Sequence, residues 1–341
     1  MKGCMNEKVF DKDTIRVMER EPSAEIIKVL RGIAKGEKAS VAQDEDWECS
    51  HCGFTNYAAT TKRMFCAQCA RVRSPLPERR SYVLQGARGS GKSIELARIV
   101  QEARSEGFVA VMVASAWNYT NAGAFVAPSE RENRFEQPGG AREILEAAAR
   151  GNSRDQLERL ALQSEEIKRR WDAPTMAALM DAALERPAEA STALADVLVE
   201  LGTSREVPAL VAVDEVSCLF AASTHHFYQR DPLAPDDILG VSELKRPLVD
   251  YDFRFARGLA VYADSASRPV GLGGKHFRQI LPHMPVEVRV SPYTDDEFKA
   301  AVDHYRDAYD IDDPFTPTEV RALMMCTQRI PKLLYERMLL S

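Results

Sequence analysis

The sequence predicts an α/β fold: a P-loop type parallel sheet flanked by helices, with further helices at the C-terminal end and a small N-terminal zinc finger. Three observations predict it. From residue 81 onward, short apolar runs alternate with segments of helical periodicity, which is the pattern of a parallel sheet with helical connections. A glycine-rich motif, GARGSGKS, lies between the first such strand and the following helix. Before this region, four cysteines form two C-x-x-C pairs.

The composition limits the class of protein. The chain has 341 residues, which is enough for about two domains, or for one large domain with small appendages. Hydrophobic residues make up 45% and charged residues 28%, which excludes a collagen-like or wholly disordered chain. The net charge of −6 gives no overall attraction to nucleic acid, so RNA contacts must be local. No apolar run approaches the roughly 18 to 20 residues that cross a bilayer, so we expect no membrane insertion.

The chain divides into four segments. Residues 1–44 form a polar extension, with an amphipathic helix expected from Ala24 to Ala34 that docks on a partner the sequence does not identify. Residues 45–75 form the cysteine module, residues 80–290 the P-loop domain, and residues 291–341 the helical lid. The first thirty residues mix acids and bases and contain no apolar stretch, so they resemble neither a secretory signal nor a typical transit peptide.

The P-loop domain is expected to begin with a βαβ unit. A strand from Tyr82 to Gln85, a helix from Ser93 to Ser105 and a buried strand from Val109 to Ser115 follow each other, and this connectivity predicts parallel strands. Later elements follow from the same periodicities. They are several helices over residues 140–200, an apolar strand over 208–213, strands over 258–263 and 286–290, and helices over 294–308, over 318–327 and from 331.

The glycine-rich motif fits the P-loop pattern G-x-x-x-x-G-K-[ST] and lies between a strand and a helix, as that pattern requires. Its glycines let backbone N–H groups turn toward phosphate oxygens at the positive end of the helix. Lys92 is expected to contact the β- and γ-phosphates, and the Ser93 hydroxyl to bind Mg²⁺. The predicted nucleotide-binding residues in this loop are Gly86, Ala87, Arg88, Gly89, Ser90, Gly91, Lys92 and Ser93.

Two acids follow the apolar strand that ends at residue 213. Asp214 is the candidate for holding the magnesium through water, as the second carboxylate of a P-loop site does. Glu215 could orient or deprotonate an attacking water, as the Asp-Glu pair of additional-strand ATPases does, or it could simply end the strand. The guanine-reading motif [NT]-K-x-D is absent, so GTP/GDP and ATP both remain open.

The cysteine module predicts a zinc site. Cys49, Cys52, Cys66 and Cys69 form two C-x-x-C pairs separated by 13 residues, and four thiolates on two tight turns suit tetrahedral Zn²⁺. A module of about thirty residues cannot build its own core, so the metal is expected to supply most of its folding energy. The absence of a secretory signal also favours a reducing compartment over a disulfide framework.

This pattern resembles the zinc finger of the Ran-binding-protein type. The residues that match it are Trp47, Cys49, Cys52, Asn56, Cys66 and Cys69. The spacer after Asn56 is some three residues longer than is usual in that type. The resemblance implies binding of single-stranded RNA or of a ubiquitin-like partner, and nearby Lys62, Arg63, Arg71 and Arg73 suit phosphate contacts. A purely structural module that docks on another protein is the alternative.

From residue 82 onward the chain resembles the family of the mitochondrial small-subunit ribosomal protein known as death-associated protein three. The segments that carry the resemblance are YVLQGARGSGKS (82–93), RFEQP (134–138), LVAVDEVSCLF (210–220), VSPYTDDEF (290–298), VDHY (302–305) and IPKLLYER (330–337). The resemblance implies a P-loop domain of the additional-strand type with a helical lid, in the small subunit of the mitochondrial ribosome. It also implies a bound purine nucleotide, commonly GTP or GDP, and ribosomal proteins and ribosomal RNA as partners in the mitochondrial matrix.

Two functions follow as expectations. The first is a structural ribosomal protein whose bound nucleotide stabilises the fold without turnover. The second is an additional-strand ATPase in which hydrolysis at Asp214 and Glu215 moves the lid.

Overall fold

The computed structural model describes most of the chain from residue 81 onward and short parts before it. The described residues are 20–36, 47–48, 52, 55–56, 68, 81–121, 126–129, 134–221, 224, 227–228, 231–250, 253, 255–264, 285–309, 311 and 314–339. Of the four predicted zinc ligands, Cys52 belongs to these ranges, whereas Cys49, Cys66 and Cys69 lie outside the described residues.

Five strands form a central parallel sheet, and the other strands form two-residue pairs. In chain order the strands are β1 (Trp47–Glu48), β2 (Thr55–Asn56), β3 (Ser81–Gln85), β4 (Val109–Val113), β5 (Ala127–Pro128), β6 (Phe135–Glu136), β7 (Ala209–Val213), β8 (Phe227–Tyr228), β9 (Asp231–Pro232), β10 (Gly258–Ala263) and β11 (Val286–Arg289). The helices are α1 (Glu21–Ala34), α2 (Lys92–Ser105), α3 (Ala116–Asn121), α4 (Pro138–Gly151), α5 (Arg154–Arg159), α6 (Glu165–Trp171), α7 (Met176–Glu185), α8 (Ala190–Thr203), α9 (Val241–Val249), α10 (Asp295–Ala308), α11 (Pro317–Thr327) and α12 (Pro331–Met338).

The strand order of the central sheet is β11-β3-β10-β7-β4, and all neighbouring strands are parallel. The predicted parallel sheet with flanking helices is therefore confirmed. Strands β3 and β4 of the predicted βαβ unit both belong to the sheet, but β10 and β7 lie between them. The two inserted strands are fully buried and carry apolar side chains apart from the Tyr262 hydroxyl, which donates to the Leu244 carbonyl; this is expected for strands covered on both faces.

Helices cover both faces of the sheet, and β3 shows how its side chains are divided between them. Tyr82 and Leu84 point into a core formed with α1 and α2, whereas Val83 points into the larger core formed with α4, α7 and α8. This is the two-residue alternation of a strand with both faces buried. The strand predicted as far as Ser115 ends at Val113, because Ser115 accepts the Asn118 N–H at 3.1 Å at the start of α3.

The helix predicted in the N-terminal extension packs on the sheet domain itself. Ile26, Leu30 and Ile33 recur at the spacing of one helix face, are at most 2% exposed and join the core under α2. Ser23 accepts a hydrogen bond from Arg98 of α2 at 3.0 Å, which fixes the start of α1 along that helix. The partner that the sequence left open is therefore the P-loop domain.

The C-terminal helices α10, α11 and α12 pack around a small core of their own. Phe298, Val302 and Leu334 are its most buried members. Helix α10 begins with a capping box, in which Thr294 accepts the Glu297 N–H and Glu297 accepts the Thr294 N–H. Within the part of the chain that the structure describes, none of the helices is both long and apolar enough to cross a bilayer.

Candidate functional site

The glycine-rich loop lies at the carboxyl end of β3 and leads directly into α2. Two of its glycines adopt backbone conformations that other residues rarely adopt: φ is +81° at Gly89 and +99° at Gly91. Because the sheet is parallel, the carboxyl ends of β10 and β7 meet the loop at the same edge. This edge, where ligands bind in open α/β sheets, brings together the predicted P-loop and the acids after β7.

Lys92 lies at the base of the loop and is buried. Its ammonium group donates hydrogen bonds to the carbonyl oxygens of Gly86 (2.9 Å) and Ala87 (3.0 Å). Burial lowers the pKa of Lys92, while the charges of Asp264 and Asp214 oppose this shift. The ammonium is therefore held by two backbone carbonyls of the loop, and charged phosphate oxygens could replace these neutral partners.

Ser93 and Asp214 meet at the same edge. The Ser93 hydroxyl hydrogen-bonds to the Asp214 carboxyl group, and the Glu215 N–H donates to Asp214 Oδ1 at 2.8 Å. Burial raises the pKa of Asp214, whereas these two hydrogen bonds and the nearby Lys92 charge lower it. A hydroxyl and a carboxylate in contact supply the hard oxygen ligands that Mg²⁺ prefers, so the pair fits a magnesium site.

The Glu215 side chain is held by Ser115, which follows the end of β4. Its backbone has a φ of +58°, which is uncommon for a residue with a side chain, and the Ser115 hydroxyl donates a hydrogen bond to Glu215 Oε2. Ser115 lies just beyond the carboxyl end of β4, and β4 and β11 are the two outermost strands of the sheet. The carboxylate is thus directed toward the end of β4 by both its backbone and its hydrogen bond.

Two further residues, Asp264 and Arg20, contribute to this part of the structure and were not among the predicted site residues. Asp264 follows β10 directly, its N–H donates to the Leu84 carbonyl at 3.0 Å, and its charge raises the pKa of Lys92. Its position immediately after a predicted strand was the available signal. Arg20, by contrast, lies in the N-terminal extension, and no local pattern connects it with the loop.

The C-terminal helices touch the loop directly. The Lys332 N–H, at the start of α12, donates to the Gly89 carbonyl at 3.2 Å. A Cβ atom on Gly89 would lie 2.8 Å from Lys332 Cβ and 3.1 Å from Ile330 Cγ2. The predicted lid therefore contacts the P-loop at a position where a side chain would force the two apart.

We expect Asp214→Asn to stabilise the protein without nucleotide at pH 7 and to weaken binding of a Mg²⁺–nucleotide complex by about tenfold. The raised pKa of Asp214 means that its contribution to stability is complete below the ordinary value of 3.8 and is lost as the pH rises through the folded-state pKa. At pH 7, well above the ordinary value of 3.8, burial of this titratable group costs stability, and asparagine avoids that cost. Thermal unfolding at pH 7 and pH 3, with and without Mg²⁺–nucleotide, checks both effects.

Asp181→Asn is the matched control for this change. Asp181 is exposed and pairs with Arg154, and this pairing lowers its pKa. Its replacement should therefore leave stability unchanged or slightly reduced at pH 7 and should not alter nucleotide binding. Equal changes in unfolding temperature and in nucleotide affinity for the two variants would contradict the effect of burial on Asp214 and its role in binding Mg²⁺.

The cysteine module is described at a few positions. Strand β1 pairs with β2 in an antiparallel register, with Trp47 opposite Asn56, so the first C-x-x-C pair lies in the connection between two paired strands. Cys52 is exposed. Among the residues that the structure describes, no group of three or more His, Cys, Asp or Glu side chains could hold a metal ion.

Comparison with known proteins decides the family. The family described as "Mitochondrial ribosomal death-associated protein 3" matches residues 77–334, which is more than half of the chain. The chain belongs to this family. The small ribosomal subunit protein mS29 of Bos taurus is similar to this chain, with 23% identity over 241 residues. These residues are 66% of this chain and 60% of that protein. The chain thus spans less than two thirds of the length of that relative.

Two solved structures are similar to this chain at lower sequence identity. A Walker-type ATPase of Pyrococcus abyssi is 14% identical with a TM-score of 0.37, covering 74% of this chain and 60% of that one. The ORC2 protein of Aeropyrum pernix, in its ADP form, is 13% identical with a TM-score of 0.40, covering 94% and 60%. The cysteine module, residues 45–75, precedes the region that matches the death-associated protein 3 family.

Proposed function

We propose that this protein is a structural component of the small subunit of the mitochondrial ribosome, that it binds a purine nucleotide (GTP/GDP or ATP) with Mg²⁺, and that it carries a structural zinc. The observation that carries the nucleotide proposal is the meeting of Lys92, Ser93 and Asp214 at the carboxyl edge of a parallel sheet. Membership of a mitochondrial ribosomal family supports the location in the matrix, with small-subunit proteins and ribosomal RNA as partners.

Each group at the sheet edge has a part in holding the nucleotide. The backbone N–H groups of the loop would face the phosphates, and Lys92 would neutralise the β- and γ-phosphate oxygens. Ser93 would bind Mg²⁺ directly, and Asp214 would hold it through water. A bound Mg²⁺ supplies neutralisation of the phosphate charge, and nothing among these residues selects guanine over adenine.

The site suits a nucleotide that stays bound and stabilises the fold better than a nucleotide that is hydrolysed. The lid contacts the loop through Lys332, and Glu215 is engaged by Ser115. A ligand present at a thousand times its dissociation constant stabilises the folded state by about 4 kcal/mol without any hydrolysis. The nucleotide would thus hold the loop, α2 and the lid together inside a large assembly.

The zinc proposal rests on Cys49, Cys52, Cys66 and Cys69. The pairing of β1 with β2 brings residues 48 and 55 opposite each other, which is the kind of tight connection that presents a C-x-x-C pair to a metal. The module would then serve as a docking element for ribosomal RNA or for a neighbouring protein.

Co-sedimentation tests the proposed function. We expect the tagged protein to migrate with the small subunit of the mitochondrial ribosome on a gradient, with one zinc and one purine nucleotide per chain. A variant with Cys66→Ser and Cys69→Ser should lose the zinc and keep the nucleotide. Migration as a free protein that releases nucleotide would contradict the ribosomal role.

The second candidate function is an additional-strand type ATPase, in which hydrolysis regulates the conformation of the lid. The observation that favours it is the Asp214-Glu215 pair directly after a central strand. Because Ser115 holds the Glu215 carboxylate, we expect single-turnover hydrolysis to be very slow in the wild type. Ser115→Ala should increase it, and Glu215→Gln should abolish whatever remains.

The matched control is Glu206→Gln. Glu206 is exposed and precedes the amino end of β7, so its replacement should leave hydrolysis unchanged. Rapid wild-type hydrolysis that is lost in Glu215→Gln would favour the ATPase over the structural role.

A further inference from the structure

Arg20 of the N-terminal extension reaches the outside of the P-loop. Its Nη1 donates to the Ser90 carbonyl at 3.0 Å, and its Nη2 donates to the Ser291 carbonyl, just after β11, at 2.6 Å. Its Nε donates to Glu297 Oε1 of α10 at 3.3 Å. The side chain is 6% exposed. One guanidinium group therefore joins the extension, the P-loop, the last strand and the lid.

The charge of Arg20 is balanced by groups on two helices. Glu95 of α2 lies 3.9 Å from Nη1, and Glu297 pairs with Nε from the lid side. The ring of Tyr293 lies 5.1 Å from the guanidinium carbon. With its donors directed to carbonyls and carboxylates, Arg20 acts on the loop through the backbone rather than as a direct partner of a ligand.

Its contact with Ser90 fixes the orientation of one peptide unit of the loop. In a trans peptide the C=O and the following N–H point in opposite directions. When Arg20 holds the Ser90 carbonyl, the Gly91 N–H is turned away from Arg20. A Cβ atom on Gly91 would lie 3.4 Å from Arg20 Nη1, so the guanidinium packs closely on this turn.

A second contact acts on the preceding peptide unit. The Lys332 N–H of the lid holds the Gly89 carbonyl, so two consecutive carbonyls of the loop are bound by donors from outside it. A carbonyl oxygen that turned into a phosphate site would repel the anion. Two donors that hold these oxygens outward therefore favour a loop with its N–H groups available to phosphate.

We propose that Arg20 is a positioning residue that holds the P-loop in its phosphate-binding shape and couples that shape to the docking of the N-terminal extension and the C-terminal lid. This inference rests on the proposed nucleotide binding and deepens it. Arg20 precedes residues 77–334, so it lies outside the part of the chain that matches the family, whereas its partners Ser90 and Glu297 lie inside that part. Nucleotide binding and lid docking must then strengthen each other, because coupling between two sites is reciprocal.

Binding of the fluorescent nucleotides mant-GDP and mant-ADP with Mg²⁺ to the full chain tests this inference. We expect Arg20→Met to raise the Kd about tenfold, chiefly through faster dissociation. Arg20→Lys keeps the charge beside Glu95 but cannot reach three partners at once, so its Kd should rise less. Glu297→Gln keeps the cap of α10 but weakens the lid-side partner of Arg20, so it should also raise the Kd. This variant tests the inference even if Arg20→Met does not fold.

Arg170→Lys is the matched control for a purely structural loss. Arg170 also pairs with a buried carboxylate, Asp196, at 2.6 Å, but among the helices between β4 and β7. It should lower the unfolding temperature and leave the Kd unchanged. If the Arg20 and Glu297 variants behave as Arg170→Lys does, while the wild type binds nucleotide, the inference is overturned alone. If the wild type binds neither probe, the proposed function fails, and the inference fails with it.

Discussion

Lys92→Ala is expected to abolish the stabilisation of this protein by nucleotide. At nucleotide concentrations a thousand times the wild-type dissociation constant, that stabilisation is about 4 kcal/mol. Lys92 provides the buried positive charge of the loop, and its ammonium donates hydrogen bonds to the carbonyls of Gly86 and Ala87. Without it, the phosphate charge would face Asp214 and Asp264 with no buried cation from the loop, because Arg88 is exposed.

Thermal unfolding with and without Mg²⁺–GDP and Mg²⁺–ADP measures this effect, and Lys245→Ala is the matched control. Lys245 is also a buried lysine, and it pairs with Asp236 and lies 5.0 Å from the ring centre of Phe220. Lys245→Ala should lower the unfolding temperature but keep the increase caused by nucleotide. An increase of wild-type size in Lys92→Ala would contradict the assignment of the loop as a phosphate site.

The part of the site that could be predicted from sequence is the part that local patterns determine. The P-loop motif fixes Lys92 and Ser93 at a strand-to-helix junction, and Asp214 follows an apolar strand. In a parallel sheet both positions fall on the carboxyl edge, so their approach could be inferred without knowing the strand order. The contact of Ser93 with Asp214 agrees with that inference.

The remaining contacts depend on the order of strands and on docking, which periodicity does not encode. Ser115 meets Glu215 only because β4 and β7 are neighbours in the sheet, and these residues are 100 positions apart in sequence. Arg20 and Glu297 are 277 positions apart. Such pairs form when elements far apart in the sequence pack together, so a single sequence gives no local signal for them.

Gly86→Ala is expected to destabilise the protein by about 3 kcal/mol and to remove nucleotide binding. A Cβ atom on Gly86 would lie 2.2 Å from the Val290 carbonyl oxygen and 2.7 Å from Ser90 Oγ. The first of these is backbone, and it cannot move freely because the Val290 N–H donates to the Gln85 carbonyl at 2.6 Å. The loop would have to leave its place beside β11.

Gly139→Ala is the matched control, because a Cβ atom there would meet nothing within 4 Å and the residue lies in α4. Alanine in a helix is favoured over glycine by up to about 1 kcal/mol, so this variant should be as stable as the wild type or more stable. Chemical denaturation of both variants, with nucleotide titrations, gives the comparison. A Gly86→Ala protein of normal stability that still bound nucleotide would mean that the loop can bind phosphate away from β11. The contacts of Arg20 and Lys332 would then be dispensable, because both require the loop to stay where β11 holds it.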